Sequence, residues 1–180
     1  MLVVVVLVAL VAIATSCQEP TGEELNAQIF SLYQRGQYPA AARLAEDVLG
    51  VAEQQFGSEH PNVATSLNNL AMLYDAQGHH AQAEPLHKQA LAIRETALGP
   101  DHPAVAQSLN NLAELYRAQA QYAEAEPLYQ RALAINEQAL GKDHPAAATT
   151  LENYVALLRE QGNNKKAEAL EKRAQTIRSH

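Results

Sequence analysis

The chain predicts an all-α fold, a right-handed solenoid of about four antiparallel helix pairs with a 42-residue period. Three observations carry this. First, His60-Pro61, His102-Pro103 and His144-Pro145 stand 42 residues apart, and so do Leu67-Asn68-Asn69-Leu70-Ala71, Leu109-Asn110-Asn111-Leu112-Ala113 and the degraded Leu151-Glu152-Asn153-Tyr154-Val155. Second, apolar residues inside each copy recur with a helical period. Third, Gly and Pro fall between the helical stretches and only rarely within them. A long fixed period means stacked supersecondary units, each too small to bury its own apolar face.

The first element is not part of the solenoid. Leu2 to Ala14 contain only Val, Leu, Ala and Ile. Thirteen residues make a helix of roughly 20 Å, short of a ~30 Å hydrocarbon core. Residues 1–16 therefore predict a signal peptide and not a spanning helix, although no Lys or Arg precedes the apolar run. The run ends in Ala14-Thr15-Ser16-Cys17, and Cys17 is the single cysteine of the chain. Small residues before a cysteine resemble the lipobox of bacterial lipoproteins. That resemblance implies cleavage before Cys17 and its lipidation, which anchors a protein stably once two or more chains are attached. A plain signal peptide cut nearby, with a secreted product, is the alternative. Residues 17–20 form the anchor and a short linker.

The repeat domain covers 21–180. In the second repeat, Leu67, Leu70, Ala71 and Tyr74 make one apolar stripe and Ala83, Leu86, His87, Ala90, Leu91 and Ile93 another, with Gly78 between them. Gly99 suits a helix C-terminus, and Pro61, Pro103 and Pro145 suit the first turn of the next helix. Pro85 and Pro127 fit helices that begin close to His80 and Tyr122, where early amides lack intrahelical partners. Carrying the period back gives a diverged first repeat through Leu25, Ile29, Leu32, Gly36, Ala41, Leu44 and Val48. Carrying it forward gives a last helix rich in Lys, Glu and Gln, as an uncovered end requires. The repeats fall at about 22–56, 64–98, 106–140 and 148–180.

Taking Ala64 as the first position of its unit, Leu67, Leu70, Ala71, Tyr74, Ala83, His87 and Ala90 resemble the signature of the tetratricopeptide repeat. The string Ala-Glu-Pro-Leu-(His/Tyr)-x-x-Ala-Leu-Ala-Ile and the linker Leu-Gly-x-Asp-His-Pro are similar to the kinesin-light-chain type of that repeat. The resemblance implies a protein- or peptide-binding scaffold. The heptad segment by which true kinesin light chains bind their motor has no counterpart here, so a motor adaptor is not expected.

The resemblance also implies that first helices line a concave groove. The positions carried over are Glu23, Asn26, Phe30 and Tyr33; Thr65, Asn68, Asn69, Met72, Asp75 and Ala76; Gln107, Asn110, Asn111, Glu114, Arg117 and Ala118; and Thr149, Glu152, Asn153, Ala156, Arg159 and Glu160. Asn offers donors and an acceptor together, which suits the backbone of an extended peptide. Asn68, Asn69, Asn110, Asn111 and Asn153 are expected to hold such a peptide in register, or else to brace neighbouring helices. Phe30, Tyr33, Met72, Glu114 and Arg117 are expected to select its side chains. No Lys or Arg occupies the places with which some relatives grip a terminal carboxylate.

Other chemistry finds little support. With 20 acidic residues against 13 basic ones, a net charge of -7 repels phosphate backbones, so no nucleic-acid partner is expected. His60, His102 and His144 recur once per repeat and cannot converge on one ion, and His80 and His87 lie two turns apart, so no metal is expected. No nucleophile–base pair or phosphate loop stands out, so no enzyme activity, cofactor or small-molecule substrate is expected. The expected function is a non-enzymatic scaffold at the bacterial cell envelope, with the lipid anchor as its membrane contact. The alternative is an assembly or accessory subunit that uses the solenoid ends or the convex face.

Overall fold

A computed structural model describes residues 22–179. The apolar run, Cys17 and the side chain of Glu23 lie outside the described residues and side chains. Among those described, the chain is eight α-helices: α1 Gly22–Gln34, α2 Tyr38–Phe56, α3 Pro61–Ala76, α4 His80–Leu98, α5 Pro103–Ala118, α6 Tyr122–Leu140, α7 Pro145–Glu160 and α8 Asn164–Arg178. Each helix packs on its successor, so four antiparallel pairs stack as the period predicts. None of these helices is long and apolar enough to cross a membrane.

The linker Gly-x-x-His-Pro works residue by residue. Gly57, Gly99 and Gly141 end α2, α4 and α6 with φ of +84, +90 and +98° and ψ of 154°. That region of backbone space is open essentially to glycine alone. His60, His102 and His144 then cap α3, α5 and α7: each is extended, and its Nδ1 accepts the amide of Asn62, Ala104 or Ala146 at 3.1 Å. The following Pro takes the first helical position, where a missing amide costs nothing. The once-per-repeat histidines are helix caps.

Pro85 and Pro127 are the sixth residues of α4 and α6, which begin at His80 and Tyr122 as expected, and both helices continue through them. Both prolines are exposed, so the carbonyls deprived of a partner can bond water instead.

The core lies at the repeat junctions. Ile29, Ala41, Ala42 and Ala45 of the first pair cluster with Leu70 and Leu73 of the second. Ala71 and Ala83 cluster with Leu112 and Leu115 of the third, and Ala113, Ala125 and Tyr129 with Tyr154, Val155, Leu157, Leu158 and Ala167 of the fourth. Alanines let the paired helices approach closely, and Leu and Tyr of the next repeat fill the grooves between them. Two further clusters lie within single pairs, Val105, Ala106, Leu109, Ala132 and Ile135 in the third and Ala147, Ala148, Leu151, Ala174 and Ile177 in the fourth, with Leu91 and Leu133 of the preceding repeat packed against them.

A line of odd-numbered helices results. α3 touches α5 and α5 touches α7, whereas no even-numbered helix makes a comparable contact with another. The odd helices are thus the inside of the curve, and the side chains they turn away from the core face into it.

Candidate peptide-binding groove

At the N-terminal end of this inner face, Phe30, Tyr33 and Met72 are 60%, 40% and 48% exposed. With Asn26, Ile29, Asn69 and Leu73 they line a cavity of about 340 Å³ between α1 and α3. An adjoining cavity of about 580 Å³ shares Asn26 and Asn69 and adds Leu25, Val48, Val51 and Phe56. Large apolar side chains left in water on one face mark a contact surface more often than chance exposure does. Asn69, Asn111 and Asn153 hold the same repeat position on α3, α5 and α7, each partly buried.

Asn68 is a correction. It is 3% exposed, its Nδ2 donates to Ser108 Oγ at 2.9 Å, and its Oδ1 lies 2.8 Å from His87 Nδ1. The carboxamide is fully used in joining α3 to α4 and α5, so Asn68 braces the junction and is not available to a peptide.

Glu114 and Arg117 are likewise occupied. Arg117 donates through Nε and Nη2 to Glu114 at 3.2 and 3.0 Å and through Nη1 to Glu160 at 2.5 Å, bridging α5 and α7. Tyr129 donates its hydroxyl to Glu114. The hydrogen bonds it donates to Glu114 hold Arg117 above the ordinary guanidinium range, against some cost of burial. Burial first, and the Glu114 contact second, push the Tyr129 hydroxyl up. These charges satisfy one another within the protein.

Three buried polar residues behind the inner face, Arg94, Asn136 and Thr150, were not singled out in the sequence. Arg94, 5% exposed, donates to Thr65 Oγ1 at 3.1 Å, Ser108 Oγ at 3.0 Å, Gln107 Oε1 at 3.2 Å and the Ala104 carbonyl at 2.9 Å. Burial lowers its pKa. Asn136 and Thr150 hold the corresponding place one repeat on, joined at 3.2 Å. The available signal was the repeat position occupied by Ala52, Arg94, Asn136 and Arg178: a polar group recurring on an otherwise apolar stripe implies a partner across the junction. His87 is 1% exposed, and burial holds it down to about 4, with Asp75 opposing weakly. It is neutral near pH 7, and its Nδ1–H donates to Asn68.

Among the described residues no group of three or more His, Cys, Asp or Glu is placed to hold a metal ion. The constellation is a shallow inner face with apolar pockets at one end and amide groups along it, supported by a closed polar network beneath.

Comparison with known proteins agrees with this architecture. No curated protein matches the chain. Among solved structures, BtubC (BKLC) from P. vanneervenii superposes with a TM-score of 0.75 at 27% identity, over 92% of this chain and 68% of that one. A putative kinesin light chain with nearly identical TPR-like repeats from Podosopora anserina gives 0.72 at 26% identity, over 96% and 82%. RapI, at 16% identity and a TM-score of 0.68, shares the fold alone. The family model described as tetratricopeptide repeat matches residues 25–96, 83–138 and 105–179. The chain therefore belongs to the tetratricopeptide-repeat family, and its structural neighbours include kinesin light chain-like members.

Proposed function

We propose that the chain is a non-enzymatic scaffold that binds an extended peptide segment of a partner protein along its inner face, and that Cys17 tethers it by lipid to the cell envelope. Tetratricopeptide repeats typically mediate protein–protein contact and are generally not catalytic. The observation that carries the groove reading is the gathering of Phe30, Tyr33 and Met72, all exposed, on two neighbouring inner helices. Such side chains stabilise a complex by leaving water, at about 25 cal/mol per Å² of apolar surface buried. The tether is supported by the apolar run that ends in Thr15-Ser16-Cys17.

The test is affinity capture from membrane extracts with wild-type protein and with Phe30→Ala/Met72→Ala and Asn69→Ala/Asn111→Ala. Loss of one protein from the captured set, at unchanged melting temperature, supports the groove. Equal capture by all three overturns it and moves attention to the convex face and the solenoid ends. For the tether, Cys17→Ser is expected to shift the protein from the membrane to the soluble fraction; an unchanged distribution contradicts lipidation at Cys17.

A further inference from the structure

The seam between α1 and α3 is open where the seam between α3 and α5 is filled. The position that holds Arg94 in the second repeat holds Ala52 in the first. Arg94 bonds both walls of its seam, through Thr65 of α3 and Ser108 of α5. The methyl group of Ala52 cannot, and the cavity of about 580 Å³ lies there. The preceding position repeats the contrast: Ile93, Ile135 and Ile177 are buried, whereas Val51 is 57% exposed. Five of the seven large apolar side chains exposed among the described residues, namely Phe30, Tyr33, Val51, Phe56 and Met72, line the two cavities of this one seam.

Asn26 and Asn69 border both cavities, and neither carboxamide has a hydrogen-bond partner among the described residues. Asn26 holds the place of Asn68 and Asn110 in the later repeats. There Asn68 is spent on His87 and Ser108. One repeat on, Tyr129 and Thr150 replace those partners, and the Oδ1 of Asn110 is buried without a partner among the described residues, beyond the reach of a ligand. Asn26, by contrast, is exposed, and Asn69 is only partly buried. An accessible carboxamide offers donors and an acceptor together and so matches both the N–H and the C=O of a peptide group.

The charge around the seam fixes the sign of the partner. Residues 22–60 carry six acidic side chains against two basic ones, whereas residues 141–180 carry five against seven. Among these acids, Glu24 precedes Leu25 of the lining, and Glu59 shares a further cavity with Phe56. Asp75 stands one turn beyond Met72 on α3. Such a field draws in basic groups and repels acidic ones, and the exposed ring of Phe30 can take a cation on its face. We infer that the α1–α3 seam receives an extended, basic segment of a partner protein that carries two large apolar side chains two residues apart. Same-side side chains of an extended chain stand ~7 Å apart, so one enters each of the adjoining cavities and the amide between them meets Asn26 and Asn69. This deepens the groove reading and rests on it, because α1 and α3 are the first two inner helices.

The test measures, by fluorescence anisotropy, the binding of fluorescein-labelled Lys-Lys-Leu-Ser-Phe-Lys-Lys to the full-length protein in zwitterionic lipid nanodiscs. Two control peptides carry Ser in place of both Leu and Phe, or Glu in place of every Lys. The first peptide is expected to bind at least about tenfold more tightly than either control, since burial of one large apolar side chain already commands that much. Its advantage over the Glu peptide is expected to narrow in about 1 M salt, which screens the field. Ala52→Arg, which places in this seam the group that fills the next, is expected to abolish binding at an unchanged melting temperature. Val51→Ser, at an exposed position, is expected to weaken it severalfold. Binding of either control as tight as that of the first peptide, or no binding by any, overturns the assignment. So does binding indifferent to both variants. Failure of this kind, with partner capture still lost in Phe30→Ala/Met72→Ala, leaves the groove standing; capture retained by every variant overturns both.

Discussion

Two single residues show how local chemistry departs from the repeat average. Ala120 is the one non-glycine residue with positive φ among those described, at 57°, where the other three repeats place Gly36, Gly78 and Gly162. A Cβ in the left-handed region costs about 1–2 kcal/mol, and part of that is offset by the lower entropy of alanine in the unfolded chain. Ala120→Gly is expected to stabilise the protein by about 0.5–1 kcal/mol, raising the melting temperature by a few degrees; a fall would mean that the turn relaxes otherwise. His87 sets a pH dependence. Its pKa is lowered on folding, so between its ordinary value and about 4 the unfolded chain binds the extra proton and the folded one does not. Stability from neutral His87 is present above pH 6.5 and is lost as the pH falls towards about 4. That loss is on the order of 3 kcal/mol. His87→Phe is expected to flatten this stretch of the stability–pH curve, read from urea midpoints; an unchanged slope would assign the acid sensitivity to other groups.

Helices and linkers were the level most legible in the sequence. The starts of α4 and α6 at His80 and Tyr122 and the prolines at the heads of α3, α5 and α7 follow directly from periodicity and proline chemistry. The histidine caps were not legible, because Ser, Thr, Asp and Asn are the usual cap residues and a recurring His reads first as packing or as ligand. His102→Ala is expected to lower stability by about 1 kcal/mol. Gly99→Ala costs on the order of 1–3 kcal/mol, since its φ of +90° with ψ of 154° admits almost no side-chain-bearing residue. Thermal unfolding of the two variants checks both, and a smaller effect for Gly99→Ala than for His102→Ala would contradict the linker account. The groove residues were legible to different degrees. Exposed Phe30, Tyr33 and Met72 fell where the repeat frame put them, but Asn68 did not, because burial at a junction depends on the neighbouring repeat. Asn68 and Asn110 are identical in their own helices and differ only through His87 against Tyr129 and Ser108 against Thr150. Arg117 escaped for the same reason, since its partner Glu160 stands a repeat away.

At the scale of the molecule, stability is shared between neighbours. Four of the six core clusters join neighbouring repeats, and Glu95–Arg131 and Glu137–Arg173 repeat one ion pair along the outer helices at 2.6 and 2.5 Å. A stack of this kind loosens from its ends, and among the described residues α1 and α8 are the end helices. Amide hydrogen exchange is expected to show the greatest protection in α3 to α6 and the least in α1 and α8; uniform protection would instead indicate one cooperative block. The same architecture keeps the inner face continuous across the repeats, which is what an extended partner needs. The most direct measurement is photo-crosslinking in cells from single positions. A photoreactive residue placed at Met72 or Asn111 on the inner helices is compared with one at Gln89 or Gln138, both exposed on outer helices. The account predicts one partner adduct of common mass from both inner positions and none from the outer ones. Adducts from Gln89 and Gln138 alone would contradict it and make the convex face the working surface.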